Sequence, residues 1–328
     1  RNFRQIFDVV SDIYLNSTFP EVEIEKEKGV IIEEINMYED MPQRHVQDLI
    51  MKLLYGDQPA GWNIAGEKKN ILDMKREDFL KYKHSHYLPE ATLLVVAGKV
   101  TEAQVLKEAK KIFGEVRRGE KSSKPKVVEK QDKPKVLVSY KKTDQTHFVL
   151  AVRTYDLFNK KNVALYVLAG VLGGGMSSRL FQKLREEMGV GYYVRASDDP
   201  YTDHGFFQIS AGVDNKRIHE VLRAVLEECN KLKNGLISEE ELDKVKECLI
   251  GNMKLSLEST DDIANFYGGQ ELLKREIKTP DEKAKEIRKV TREEIKDLAS
   301  EIFTNTNLNL ALIGPFKEGK DFLKVLSF

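Results

Sequence analysis

The sequence predicts an α+β protein of two duplicated domains. Each would be a mixed or antiparallel sheet covered by helices, with the first domain truncated on its N-terminal side. Three observations predict this. The chain can be laid on itself in two separated blocks, in the same order. Both copies pass from helical periodicity to a half-buried strand and a glycine stop. The second copy carries a long stretch, 135–218, for which the first has no counterpart.

The clearer block aligns 74–98, "MKREDFLKYKHSHYLPEATLLVVAG", on 290–314, "VTREEIKDLASEIFTNTNLNLALIG", without gaps. Arg76/Arg292, Glu77/Glu293, Leu94/Leu310 and Gly98/Gly314 are identical; Phe79/Ile295, Tyr87/Phe303 and Val96/Leu312 agree in character. Upstream, 19–31 ("FPEVEIEKEKGVI") lies on 237–249 ("ISEEELDKVKECL"). Ser238 and Glu241 have capping-box spacing, and Pro20 suits the first turn of the matching helix. Within 135–218 the patterning predicts a strand at 146–155, helices near 162–172 and 177–188, and strands near 190–198 and 205–213. Between the copies, 117–134 is rich in Lys, Glu, Ser and Pro and reads as a solvated linker. The expected division is 1–116 for the C-terminal part of the first domain and 135–328 for the second. A lone strand and stripped helices are poorly stable, so the sequence leads us to expect that a segment equivalent to 135–218 has been lost from the first copy.

Composition narrows the function. Fifty-three basic residues balance 53 acidic ones, which argues against a nucleic-acid-binding surface as the main business of the chain. No apolar run approaches the roughly 20 residues that span a bilayer, and the polar 1–5 leads into a helical pattern rather than a secretory signal. Two cysteines, Cys229 and Cys248, make neither a disulfide framework nor a metal knuckle and fit a reducing, cytoplasmic setting.

The chemistry starts at 21–41, which has helical period. Ile24, Ile31, Ile35 and Tyr38 fall near one line; Val30, Met37 and Met41 lie to one side of it. Glu27 and Glu34, seven residues apart and so on one ridge, fall between these two apolar groups. An ionised carboxylate buried there must be paired or bound to a metal. A salt bridge or helix cap would satisfy it, and so would a metal ion. The second copy has Val245 and Asn252 at these two positions, which points to a site in the first copy alone.

At this point the chain resembles the pitrilysin/insulinase family of zinc peptidases, in the branch of mitochondrial processing peptidase and its bacterial relatives. Residues 23–42, "EIEKEKGVIIEEINMYEDMP", are similar to the stretch following that family's inverted zinc motif. Residues 172–194, "LGGGMSSRLFQKLREEMGVGYYV", resemble its second-domain signature. The resemblance covers essentially the whole chain. It implies a clamshell half of a zinc endopeptidase acting on peptides or unfolded segments. Glu34 stands at the third zinc ligand, and Glu27 at the glutamate that orients a ligand from behind. Arg185 and Tyr192 match the substrate-binding Arg-x6-Tyr pair, with Tyr193 the adjacent competitor. Tyr192 would donate to a developing oxyanion and Arg185 would hold a substrate carbonyl. Gly173, Gly174 and Gly175 stand where the family has a substrate-touching loop; a helix-start turn capped by Ser177 or Ser178 explains them equally well. The resemblance further implies that peptide adds as a strand to a sheet edge. It also implies a homodimer in which the second domain completes the partner's site.

One departure is large. The family's H-x-x-E-H, which supplies two zinc ligands and the general base, is absent from all 328 residues. The chain as written is expected neither to hold zinc tightly nor to hydrolyse peptides. A non-catalytic subunit of the same fold, acting as a binding or structural partner, is the alternative. His84 and His86, two apart, point about 200° from each other on a helix and cannot share one ion. His45, His147, His204 and His219 show no ligand spacing.

Overall fold

The structure, a computed structural model, describes residues 2–274 and 276–328. The first helices are α1 (Phe3–Leu15), α2 (Glu21–Asp40), α3 (Pro42–Tyr55), α4 (Lys68–Asp73), α5 (Arg76–His86) and α6 (Glu102–Phe113). Strands β1 (Lys135–Tyr140) and β2 (Gln145–Arg153) precede α7 (Asn162–Gly173) and the short α8 (Arg179–Phe181), which runs into a π-helical turn, Gln182–Glu187. Then come β3 (Gly191–Pro200), β4 (Gly205–Asp214), α9 (Ile218–Asn234), α10 (Glu239–Leu255), α11 (Thr260–Leu273), α12 (Pro280–Lys289) and α13 (Arg292–Ile302). β5 (Asn309–Gly314) and α14 (Lys320–Leu323) follow. The architecture is the expected α+β, with one mixed sheet. No helix among the described residues is long and apolar enough to cross a membrane.

The chain forms two compact units. Unit 2 comprises Met37–Ile64, Lys126–Leu255 and Lys278–Phe328. Its sheet has the order β1-β5-β2-β4-β3; β1 runs parallel to β5, and every other pair is antiparallel. Strand alternation sends side chains to opposite faces. Phe148, Leu150 and Val152 of β2 join Leu165, Leu168, Val225 and Leu298 from α7, α9 and α13 in one core. Val149, Ala151, Ala311 and Ile313 turn the other way and pack on Val46, Ile50, Leu54 and Tyr55 of α3. Local chemistry starts the helices: Thr291 and Glu294 exchange both bonds of a capping box at α13. At α10 the expected box is half made. The Glu241 N–H donates to Ser238 Oγ at 3.1 Å, but the Glu241 carboxylate instead accepts both Nε and Nη2 of Arg179, at 2.7 and 2.8 Å.

Unit 1 comprises Arg1–Asn36, Ala65–Pro125 and Ser256–Ile277. It is helical: α1, most of α2, α4, α5, α6 and α11. Among its described residues the buried apolar side chains are Phe7, Ile24, Ile35 and Leu88. Aromatic contacts (Phe7 with Phe113, Tyr14 with Tyr87, Phe19 with Phe79) and side-chain caps tie the helices together. Arg76 donates to the carbonyls of Phe19 and Thr18, and Lys28 Nζ to that of Leu72. In α11, Gly268 lets the helix close on Val95, whose Cγ2 would lie 2.9 Å from any Cβ there.

Two expectations need correction. The strand foreseen at the end of 74–98 does not form: 92–97 is without strand assignment, and Leu93, Leu94 and Val95 are exposed. A strand needs a partner to satisfy its backbone groups, and every described strand belongs to unit 2. Nor is 117–134 a solvated linker throughout. From residue 126 it is part of unit 2, where Val127 N–H donates to Asp203 and Val128 N–H to Gln58 Oε1, both at 3.0 Å. Glu129 meets Arg153 at 3.2 Å. The compact units also cut across the two copies: α3 follows α2 as α11 follows α10, yet α3 groups with unit 2 and α11 with unit 1.

Candidate functional site

Helix α2 carries the two carboxylates. Its buried line is Ile24 and Ile35, with Ile31, Ile32 and Lys28 partly covered. The second apolar group is only about half covered: Val30, Met37 and Met41 are 49, 49 and 45% exposed. Glu27 and Glu34 stand exposed beside them. The expectation that both are tucked among apolar neighbours is therefore wrong. Helical periodicity groups side chains by direction but does not supply the surface that would cover them. Neither carboxylate is clasped by a described cation, for Lys26 and Lys28 pair with Glu23 and Glu25. In α10 the matching positions behave differently. Val245 is buried against Gly170, and Asn252 donates to Cys248 Sγ at 3.7 Å.

Unit 2 brings Arg185 and Tyr192 together through one carbonyl. The π-helical turn ends at Met188, and the chain reverses through Gly189 at φ 65°, a conformation that favours glycine. Arg185, in that turn, then reaches forward, and its Nη1 donates to the Gly191 carbonyl at 2.9 Å. Gly191 opens β3, an edge strand of the sheet. There the register slips: Gly191 faces Val213 while Tyr193 faces Gly212. Tyr192 is thus the extra residue of a β-bulge, a device that re-aims a side chain. It is 64% exposed. Tyr193 turns instead toward His147, with its hydroxyl 3.2 Å from Nδ1 and the rings stacked at 5.8 Å. Burial pushes the Tyr193 hydroxyl pKa well up and the His147 pKa down from its ordinary 6.5. Of the two competing tyrosines, Tyr192 is the one presented to solvent.

The glycine run has structural reasons. A Cβ on Gly173 would lie 2.2 Å from Ala196 N, so this end of α7 closes directly on β3; Gly175 sits at φ 155°. Ser178 does not cap the next helix in the usual sense, because its hydroxyl donates back to the Gly175 carbonyl at 2.6 Å.

Among the described residues no group of three or more His, Cys, Asp or Glu side chains is placed to hold a metal ion. His84 meets Arg117, and His86 stacks on Tyr82 at 4.1 Å. Sequence reading missed His147, Gly212 and the bulge. The spacing of a cross-strand row depends on loop lengths, and a bulge on the partner's register, so neither leaves a local signature.

Two family models match. "Insulinase (Peptidase family M16)" covers residues 1–68, and "Peptidase M16 inactive domain" covers 73–249. The chain is 35% identical over 309 residues to a Bacillus subtilis protein named as an uncharacterized zinc protease, YmxG, covering 94% of this chain and 74% of that one. An uncharacterized zinc protease of Rickettsia bellii is 31% identical over 317 residues, covering 96% and 75%. Among solved structures, a protease from Helicobacter pylori superposes with a TM-score of 0.88 at 22% identity, over 96% of this chain and 77% of that one. A peptidase M16 inactive domain from Pseudomonas fluorescens gives 0.87 at 20%, over 95% and 74%. At such identities these two likenesses speak for the fold alone.

Proposed function

From the premise that the chain belongs to the pitrilysin/insulinase-like M16 peptidase family, we propose that it serves zinc-dependent cleavage of peptides or unfolded segments by supplying the substrate-binding edge and one carboxylate of the site. The observation that carries this is the Arg185–Gly191 bond beside the bulge that projects Tyr192 from an edge strand. A sheet edge offers backbone donors and acceptors to an extended peptide. Arg185 uses one of its five N–H donors on Gly191, and others can take a substrate carbonyl. The Tyr192 hydroxyl, in solvent, can donate to a second carbonyl oxygen. Of the neighbouring glycines, Gly173 and Gly174 pack on Ala196 and Gly170, while Gly175 has open space where a passing peptide could lie.

The residues described here do not by themselves fit zinc. Glu34 is a single exposed carboxylate, Glu27 supports no ligand, and no histidine pair stands near in helical spacing. No step is therefore derived through the metal. Zinc chemistry would need an H-x-x-E-H, which these 328 residues lack; with one supplied, Glu34 would be the third ligand and Glu27 would support a ligand from behind. In this reading the protein works as a homodimer, with Arg185 and Tyr192 of one copy acting at the partner's Glu34.

The test is co-expression with a separate N-terminal segment chosen to contain an H-x-x-E-H. The account expects about one zinc per chain and cleavage of an unstructured peptide, both lost in Glu34→Gln. Mixing Glu34→Gln and Arg185→Ala proteins should restore part of the activity if the dimer shares its sites. A second reading, a non-catalytic partner subunit of the same fold, is favoured by the match to the M16 inactive domain over residues 73–249. It is supported if the folded assembly takes up no zinc and cleaves nothing.

A further inference from the structure

Three adjacent strands place His147, Gly212 and Tyr193 in one row. His147 of β2 pairs with Gly212 of β4, and Gly212 pairs with Tyr193 of β3. Residues directly opposite in a sheet share a face, so all three lie on the face that also carries Val149 and Ile313. The middle position has no side chain. A Cβ there would meet Tyr193 Cε1 at 2.6 Å and His147 Cε1 at 3.2 Å. The tyrosine ring lies across the glycine and stacks on the imidazole, and the two share a hydrogen bond. A strand glycine ordinarily weakens a sheet, and an aromatic laid across it repairs the loss.

The position of this row matters because of what precedes it. A slip of one residue in a strand sends every side chain to the opposite face. At 191–193 the chain has two tyrosines in succession, and either is able to serve as the extra residue of the bulge. Tyr193 is held by His147, and the carbonyl of Gly191 is held by Arg185. Tyr192, between these two held neighbours, is 64% exposed. Burial keeps His147 neutral near neutral pH, so the contact with the tyrosine hydroxyl persists under ordinary conditions.

We propose that His147, Gly212 and Tyr193 form a cross-strand brace that fixes the bulge and so holds Tyr192 in its peptide-facing position. His147 and Tyr193 are then positioning residues that never touch the peptide. The proposal rests on the reading of β3 as a peptide-binding edge.

A double-mutant cycle tests it. The affinity of the 328-residue polypeptide for a fluorescein-labelled, unstructured casein peptide is measured by anisotropy for Tyr193→Phe, Gly212→Ala and Tyr192→Ala, and for the doubles with Tyr192→Ala. Tyr193→Phe removes one hydrogen bond and should weaken binding roughly three- to tenfold. Gly212→Ala, which drives a methyl group into the ring, should weaken it at least as much. Neither change should matter further once Tyr192 is alanine. Tyr193→Phe is conservative enough to fold even where Gly212→Ala is not, and retained amide protection in β4 verifies each variant. If Tyr192→Ala weakens binding while Tyr193→Phe does not, the brace is rejected and the edge stands. If Tyr193→Phe acts equally in both backgrounds, its role is general stability and the brace is again rejected. If Tyr192→Ala has no effect, the edge reading fails and takes the brace with it.

Discussion

The block 290–314 in unit 2 and its repeat, 74–98 in unit 1, start from nearly the same pattern and end differently. In unit 2, α13 buries Ile295, Leu298, Ala299 and Ile302, and β5 is buried along its whole length between β1 and β2. In unit 1, α5 buries nothing fully, and 92–97 pairs with no strand. Leu310 is fully buried, whereas its repeat-mate Leu94 is 43% exposed. The difference teaches that a strand belongs to a ladder rather than to a sequence. Apolar alternation marks residues able to enter a sheet; the neighbouring strands decide whether they do. The carboxylate helix follows the same rule, for Val245 on α10 is covered while Glu27 at the equivalent place on α2 is in solvent.

The matched leucines give the sharpest way to break this comparison. Leu310→Ala opens a cavity in a packed core and should cost about 2–5 kcal/mol in urea unfolding. Leu94→Ala should cost less than about 1 kcal/mol, since little of its area is removed from water. Equal losses would mean that 92–97 is packed as β5 is. Hydrogen exchange should draw the same contrast, with Leu310, Leu312 and Ile313 amides protected to near-global unfolding and those of 93–96 exchanging through local opening. A smaller effect is expected at Glu34. Because it is exposed and unpaired among the described residues, Glu34→Gln should change stability by no more than about 0.5 kcal/mol. A larger change would restore the buried carboxylate expected from the sequence.

The smallest effect is a pH dependence in unit 2. His147 has its pKa lowered in the folded protein by burial, so below its ordinary 6.5 the unfolded chain binds a proton that the folded one refuses. Its contribution is neutral above that value and destabilising as pH falls below it. Unfolding midpoints of the wild type should therefore drop more steeply below pH 6.5 than those of His147→Leu; identical slopes would mean that the imidazole charges freely in the fold.

Much of this was legible in the sequence. Alternation marked β2, β3 and β4 within a residue or two, and helical period marked α2, α7 and α13. β1 escaped notice although Val136 and Val138 alternate behind Pro134; among the described residues it pairs with the distant parallel strand β5, so no hairpin turn beside it marks it in the sequence. The spacing of Arg185 and Tyr192 was visible, and with it the competition from Tyr193. What separates the two tyrosines is a bulge and a histidine 46 residues away, which no local pattern announces. The phase of Glu27 and Glu34 was read correctly and their burial was not, since phase is intrinsic to a helix and burial depends on what lies against it.

The central claim is that this chain carries a peptide-binding edge that works without metal. Equilibrium binding of the labelled casein peptide in the presence of EDTA tests it most directly. The account predicts saturable binding that EDTA leaves unchanged and that Tyr192→Ala weakens about tenfold or more, as loss of a hot-spot tyrosine does. Binding that vanishes on chelation, or that survives Tyr192→Ala at full strength, would contradict it.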